Sequence, residues 1–202
     1  MLDDDVVHVI EDDLAMRDAL LLLLETAGFP ARGYGSTEDF LEKEGLAKRA
    51  CLLVDVRLPG MDGLTLLKHL FLHGADPAIV MITGHGDIAL AVAALKAGAM
   101  DFVTKPFNPA ELLESVREAW QRSADARQRA IAAAETDARF QSLTPRESSI
   151  LTHLAEGQSS KLIAAELGIS IRTVEHHRAS IMDKLHVRTL SQLIRAVFER
   201  AA

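Results

Sequence analysis

The chain has 202 residues, room for one large or two small domains, and its 49% hydrophobic content supplies packed cores and excludes a disordered protein. No apolar run approaches the roughly 18 residues that span a bilayer, and the start, Met-Leu-Asp-Asp-Asp, lacks the basic region of a signal peptide; a cytoplasmic protein with no membrane partner is expected. The net charge of −7 is split between residues 1–120, with ten Lys+Arg and twenty Asp+Glu, and residues 121–202, with twelve and nine, which suggests an anion-binding C-terminal part.

Val6 to Ile10 reads as a strand, followed at once by Glu11-Asp12-Asp13 and an amphipathic helix from Leu14 to Ala27, stopped by Gly28. Acids in a first helical turn complement the helix dipole. Three carboxylates exceed what a cap needs, and beside another acid they would repel one another unless a cation sat between them. Oxygen ligands with room for water suit Mg²⁺. Ala31 to Gly35 is a poor strand candidate, and Ser36 with Asp39 opens a helix through about Ala47.

The run Ala50 to Asp55, Ala-Cys-Leu-Leu-Val-Asp, reads as a strand buried on both faces that surfaces at its carboxylate. In an open parallel sheet ligands gather beyond the carboxyl ends of the strands, so Asp55 stands where reactive groups are expected. Cys51, the lone cysteine, lies inside the run and is expected to be a small buried hydrophobe, not a redox or metal residue. Pro59-Gly60 and Asp62-Gly63 turn the chain, with Asp62 capping a helix from Leu64 to about Leu72.

Ala78 to Thr83 is a further buried strand that ends on a hydroxyl and runs into Gly84-His85-Gly86-Asp87. A helix from Ile88 to Ala97 and a strand from Asp101 to Thr104, ending at Lys105-Pro106, complete five alternations. Such alternation predicts an α/β doubly wound five-stranded parallel sheet of roughly 120 residues. Its strand ends present Glu11, Asp12, Asp55, Thr83 and Lys105, which suit metal ligation, an acceptor nucleophile and two groups for phosphoryl oxygens.

Asn108-Pro109-Ala110-Glu111 starts a helix with a cap, a proline and an acid, and no Gly or Pro follows until Pro145. Leu112, Val116, Ala119, Ser123, Ala126, Ala130 and Ala133 alternate by four and three, the spacing of a paired-helix seam. Their small size suits a solvated linker equally well, and both readings stand. Thr144-Pro145-Arg146-Glu147 repeats the start device for a helix to about Glu156. Ser159 caps a short helix, Ser160 to Leu167; Gly168-Ile169-Ser170 then turns into a helix to about Leu185, and a last helix runs from Leu190 to about Glu199. Two helices about a Gly turn form a helix-turn-helix or part of an ordinary bundle. The expected partition is a domain at 1–122, a helical linker at 123–141 and a small all-α domain at 142–202.

Val-Ile-Glu-Asp-Asp (9–13), Asp55 with Leu-Pro-Gly-Met-Asp-Gly, Thr83-Gly84-His85-Gly86-Asp87 and Lys105-Pro106-Phe107 together resemble the receiver domain of two-component response regulators. The resemblance implies a flavodoxin-like sheet of order 2-1-3-4-5. It implies that Asp55 accepts a phosphoryl group from a sensor histidine kinase. It further implies that Asp12, the Asp55 carboxylate and the Arg57 backbone carbonyl hold Mg²⁺, with Glu11 acting through water. Thr83 and Lys105 would contact the phosphoryl oxygens, Phe102 would be the switch aromatic, and the Lys105-Pro106 peptide would be cis. The family often carries Asp where this chain has Glu11.

Leu-Thr-Pro-Arg-Glu (143–147), Gly157, Ile163-Ala164, Leu167, Ile169-Ser170, Thr173-Val174-Glu175-His176-His177 and Ile181 to Leu185 resemble the LuxR-type DNA-binding domain. The halves together are similar to the NarL/FixJ family, and Gly84-His85-Gly86-Asp87 to its FixJ branch. The implied partners are double-stranded promoter DNA, a second copy of the chain on phosphorylation, and RNA polymerase as a candidate. The implied DNA contacts are Lys161, Arg172, Thr173, Glu175, His176, Arg178 and Ala179, with Ile171, Val174, Ile181 and Leu185 as the buried stripe of their helix. Arg172 and Arg178 suit phosphates or guanine edges, whereas Glu175 would repel phosphate and suits a cytosine amino group. Adjacent His176 and His177 diverge on a helix and are not expected to bind metal.

An enzyme is not expected beyond autodephosphorylation. Haloacid dehalogenase-type phosphatases also place an aspartate at a strand end, but they carry a second Asp two residues on, where this chain has Arg57. No Gly-x-x-x-x-Gly-Lys-Ser/Thr segment is present. A phosphorylation-independent docking module is the remaining alternative.

Overall fold

Successive side chains on a strand point to opposite faces, so the apolar runs divide their residues between two cores. The computed structural model describes residues 6–46, 49–84 and 88–201. Its parallel sheet comprises β1 (Val7–Ile10), β2 (Ala31–Tyr34), β3 (Cys51–Asp55), β4 (Ala78–Thr83) and β5 (Asp101–Thr104), in the expected order β2-β1-β3-β4-β5. Five helices accompany it: α1 (Leu14–Thr26), α2 (Thr37–Glu44), α3 (Gly63–Leu72), α4 (Ile88–Lys96) and α5 (Pro109–Gln141).

Val7, Val9, Cys51, Leu53, Val80 and Ile82 face α1 and α5, meeting Leu20, Leu24, Leu112 and Val116. Ile10, Leu52, Val54, Ile79 and Met81 face the other way, against Phe40 of α2 and Leu66, Leu67 and Leu70 of α3. Each fully buried branched side chain contributes about 1.5–3 kcal/mol, so this double-sided burial is what holds the sheet against its helices. Cys51 is a buried free thiol, and burial pushes its pKa up to about 12.

The strand ends are fixed by the caps read from the sequence. Asp13, Ser36 and Asp62 accept from the backbone N–H of Met16, Asp39 and Thr65, opening α1, α2 and α3 just beyond β1, β2 and β3. Gly63 is required by close approach, since a Cβ there would collide with the Asp55 backbone carbonyl.

One expectation changes. The weak segment at residue 31 is a true strand, paired along its length with β1. Gly33 disguised it: the Arg17 side chain lies across it, with Cδ 3.0 Å from where a Cβ would stand, so edge pairing and a covering side chain replace local propensity. The small-residue stripe on α5 is covered by this chain itself over its first half. Leu112, Val116 and Ala119 bury in the sheet's own core, Ser123 Oγ donates to the Arg49 carbonyl at 2.5 Å, and only Ala133 at the far end is exposed. Spacings of four and three belong to any helix that buries one stripe.

The chain divides into two compact units, Met1–Gln128 and Arg129–Ala202. The second contains the end of α5, then α6 (Pro145–Ala155), α7 (Ser160–Leu167), α8 (Ile171–Lys184) and α9 (Leu190–Ala201). Phe140, Ile150, Leu154, Ile163, Val174, Ile181 and Leu193 form its core. Among the described residues, no helix is long and apolar enough to cross a membrane.

Candidate acidic centre and nucleic-acid interface

Glu11 follows β1 directly and Asp55 ends β3, and the parallel pairing of these central strands brings their carboxyl ends together. Glu11, Asp12 and Asp55 each offer a carboxylate oxygen, all within 4.8 Å of one another. Lys105, just beyond β5, reaches into this cluster: its ammonium donates to Asp55 Oδ2 at 2.5 Å and to Glu11 Oε2 at 2.8 Å. Asp55 Oδ1 accepts from the Arg57 backbone N–H at 2.8 Å. The peptide Lys105-Pro106 is cis, as the resemblance implied.

The electrostatics follow from burial. Glu11 is 1% exposed, and desolvation raises its pKa above the ordinary carboxylate value; the Lys105 hydrogen bond opposes the rise and the Asp55 charge adds to it. For Lys105 burial works against the charge, yet the bonds to Asp55 and Glu11 prevail and raise its pKa. An all-oxygen set of three acids in need of positive charge fits a hard divalent cation.

Thr83 ends β4 beside Asp55, whose register partner is Ile82, and the Lys105 backbone N–H donates to the Thr83 carbonyl at 2.7 Å. Thr83 is 1% exposed, and its hydroxyl has no hydrogen-bond partner among the described residues. A buried hydroxyl left unpaired costs about 1–3 kcal/mol, a penalty that a ligand oxygen would remove. Phe102 is half-buried on β5 against the core that contains Met81. His85, Gly86 and Asp87 lie outside the described residues.

Sequence reasoning missed the supports of this centre. Arg17 Nη1 donates to the Glu11 carbonyl at 2.6 Å and reaches the Asp12 carbonyl at 3.4 Å, bracing the acidic turn. A glycine inside a strand pattern, Gly33, was the available signal of that close approach. Thr37 and Glu38 of α2 grip the loop after Asp55 at Met61. An open groove of about 490 Å³ beside Asp12 is lined by Arg57, Leu58, Pro59, Asp62, Leu64 and Leu90.

In the second unit, Thr144 and Glu147 form a reciprocal capping box on α6, and Ser159 and Ser170 cap α7 and α8. Gly168 at φ 64° ends α7 in the left-handed region and permits the tight turn into α8. Glu147 does more than cap: its carboxylate accepts from Ser180 Oγ at 2.7 Å and Lys184 Nζ at 2.7 Å, tying α6 to α8. These donors outweigh its desolvation and hold Glu147 down at about 2.

On α8, Val174, Ile181 and Leu185 are buried as expected, but Ile171 is 50% exposed. The inward stripe begins one turn later, at Val174. Lys161, Arg172, Glu175, His176 and Ala179 are exposed, and Thr173 and Arg178 half-buried. Glu175 is not a free acid: Ser160 Oγ donates to its Oε1 at 2.5 Å, and Arg178 lies 3.8 Å from the same oxygen.

An acidic centre with a bridging lysine in a 2-1-3-4-5 sheet, and a separate helix-turn-helix, delimit the comparisons with known proteins. Residues 7–117 match the response regulator receiver domain family, and residues 141–197 the luxR family of bacterial regulatory proteins. The transcriptional regulatory protein FixJ of Azorhizobium caulinodans is 43% identical over 94% of this chain and 90% of its own length. The chain belongs to the FixJ-like response regulators. The regulator is also 38% identical to nodulation protein W of Bradyrhizobium diazoefficiens, over 94% of this chain and 84% of that protein. Among solved structures, the response regulator StyR has a TM-score of 0.87 at 39% identity, covering 96% of this chain and 98% of that one. Full-length FixJ from B. japonicum has a TM-score of 0.58 at 39% identity, covering 98% and 97%. The regulator is thus a two-component protein with a receiver and a LuxR-type DNA-binding domain, and FixJ and StyR are regulators by name.

Proposed function

We propose that Asp55 is the phosphoacceptor of a cytoplasmic regulator that changes transcription when a sensor histidine kinase phosphorylates it. The observation that carries this reading is the meeting of Asp55 with the Lys105 ammonium and the Glu11 and Asp12 carboxylates, beside a buried Thr83 hydroxyl that has no partner among the described residues. We assign the receiver to residues 1–122, the helical linker to 123–141 and the DNA-binding domain to 142–202.

In the transfer, an Asp55 carboxylate oxygen attacks phosphorus, the nitrogen-phosphorus bond of the kinase phosphohistidine breaks, and the imidazole leaves with that electron pair. Mg²⁺, held by Asp12, the Asp55 carboxylate and the Arg57 carbonyl, with Glu11 through water, would neutralise the charge that gathers on the phosphoryl oxygens. Lys105 then exchanges its bond to Asp55 for one to a phosphoryl oxygen, and Thr83 gains the acceptor its hydroxyl lacks. Since the Lys105 backbone N–H is bonded to the Thr83 carbonyl, the two residues move together, and Phe102 turns inward on β5, the strand that leads into Lys105. The surface so altered pairs two receivers. Two helix-turn-helix units then reach half-sites about 34 Å apart, gaining avidity without new base contacts. Slow attack of water on the acyl phosphate resets the regulator.

Arg172, Thr173, His176 and Ala179 form the reading face of α8, with Lys161 and Arg178 toward phosphates. Glu175 sets the side chains around it through Ser160 and Arg178.

The test is incubation with acetyl phosphate and Mg²⁺, read by intact mass, followed by light scattering with beryllofluoride. The wild type gains one phosphoryl group and pairs, and Asp55→Asn does neither. Equal incorporation in Asp55→Asn overturns the assignment.

A further inference from the structure

We propose that Thr37 and Glu38, in the first turn of α2, are positioning residues for the Asp55 site, acting through the loop from Val56 to Asp62. This inference rests on Asp55 being the phosphoacceptor, and gives that site a control point on a helix that touches none of the reacting atoms.

The loop is pinned at its base by backbone bonds, Val56 N–H to the Ile82 carbonyl at 2.9 Å and Gly63 N–H to the Val56 carbonyl at 3.1 Å. Its tip is held from α2. Glu38 Oε1 accepts from the Met61 N–H at 2.9 Å, and Thr37 Oγ1 donates to the Met61 carbonyl at 2.7 Å. Two neighbouring side chains therefore satisfy both peptide groups flanking one residue, 23 and 24 positions away in sequence.

The grip is built in. Thr37 is fully buried, so its hydroxyl has no water to exchange with. The Met61 N–H is the leading cause that holds the Glu38 pKa below its ordinary value, which keeps the acceptor ionised. Ser36 caps the helix and fixes the rotation of that first turn. Gly60 sits at φ +75°, and a Cβ there would lie 2.6 Å from Glu38 Oε1, so the loop backbone comes against the carboxylate at a distance only glycine allows.

What the loop carries explains the consequence. Arg57 donates its N–H to Asp55 Oδ1, and its carbonyl is the one backbone oxygen assigned to Mg²⁺. A tip free to shift carries that carbonyl away from the acids, while Asp55 stays on β3 and Asp12 and Lys105 stay where β1 and β5 deliver them. Loss of groups that orient ligands costs on the order of 10–100-fold in metal affinity.

The experiment uses the full chain and Mg²⁺ alone, with binding followed by NMR amide shifts, exchange protection of the Met61 amide measured without metal, and phosphoryl uptake from acetyl phosphate by intact mass. Thr37→Val is nearly isosteric and keeps the fold; it and Glu38→Ala should weaken Mg²⁺ binding about 10-fold and expose Met61 to exchange. Thr37→Ser and Glu38→Gln, which restore the hydroxyl and the acceptor, should recover most of the loss. Wild-type affinity in both Thr37→Val and Glu38→Ala, or lost affinity with Met61 still protected, overturns the proposal. If the wild type takes up no phosphoryl group, the assignment of Asp55 has failed instead.

Discussion

Lys105 and Asp55 stand fifty positions apart in the chain, and their side chains meet at 2.5 Å. The same ammonium holds Glu11, so one lysine just beyond β5 offsets an acid just beyond β1 and another that ends β3. The receiver's rim is therefore held together by charge as well as by the sheet, and each part can be removed separately.

Lys105→Met should destabilise the receiver by about 2 kcal/mol near neutral pH, because two largely buried carboxylates lose their counter-charge. Glu11 already has a raised pKa and will rise further without the lysine. A group with a raised pKa takes up its proton as pH falls, so the deficit should shrink from pH 7 toward pH 5. Mg²⁺ should recover stability more in the variant than in the wild type. Urea denaturation with and without Mg²⁺ at both pH values measures this, and an equal Mg²⁺ response in both proteins contradicts it.

Thr83→Val should separate stability from signalling. The Thr83 hydroxyl is buried without a partner among the described residues, so its removal should leave stability unchanged or raise it by about 1 kcal/mol. The variant should still accept a phosphoryl group but lose much of the beryllofluoride-induced pairing seen by light scattering. Lower stability would mean that the hydroxyl is satisfied in the resting protein.

Glu147 makes the DNA-binding domain acid-sensitive in a defined window. Its pKa is held at about 2, below the 4.5 of a free carboxyl, so its stabilising effect is complete above about pH 4.5 and is lost as pH falls through about 2. Glu147→Gln should lower stability near neutral pH by about 2 kcal/mol, the gap closing below pH 3. Thermal melts of the two proteins across this range provide the measurement.

Arg178→Ala should weaken binding to promoter DNA and reduce the slope of log affinity against log salt by about 1, as for loss of one phosphate contact. Ser160→Ala should alter base preference more than the slope, because it releases Glu175 Oε1 and with it the nearby Arg178. DNA selection with each variant, read against a salt titration, distinguishes the two effects.

Features set by a strand's own residues were legible in the sequence. Asp55, Thr83 and Lys105 each follow an apolar run, and parallel pairing alone suffices to bring them to one edge. Caps such as Asp62, Ser159 and Ser170 were legible because a side chain three residues before an amide determines them. Contacts that join distant segments were not. Nothing local in Thr37-Glu38 points to Met61, and Glu147 reads as a cap although its other donors, Ser180 and Lys184, lie more than thirty residues away. The exposed Ile171 was missed for a related reason: periodicity reveals that a face is buried, but not what covers it or where the cover stops.

The sealed thiol at Cys51 has a practical outcome. Fully enclosed between β1 and β4 and with a pKa near 12, it should ignore maleimide dyes while the protein is folded. A cysteine placed anywhere on the surface becomes the single labelling point without deleting the native one. Fluorescent reporters on the receiver or the DNA-binding domain can therefore follow activation in an otherwise unaltered chain.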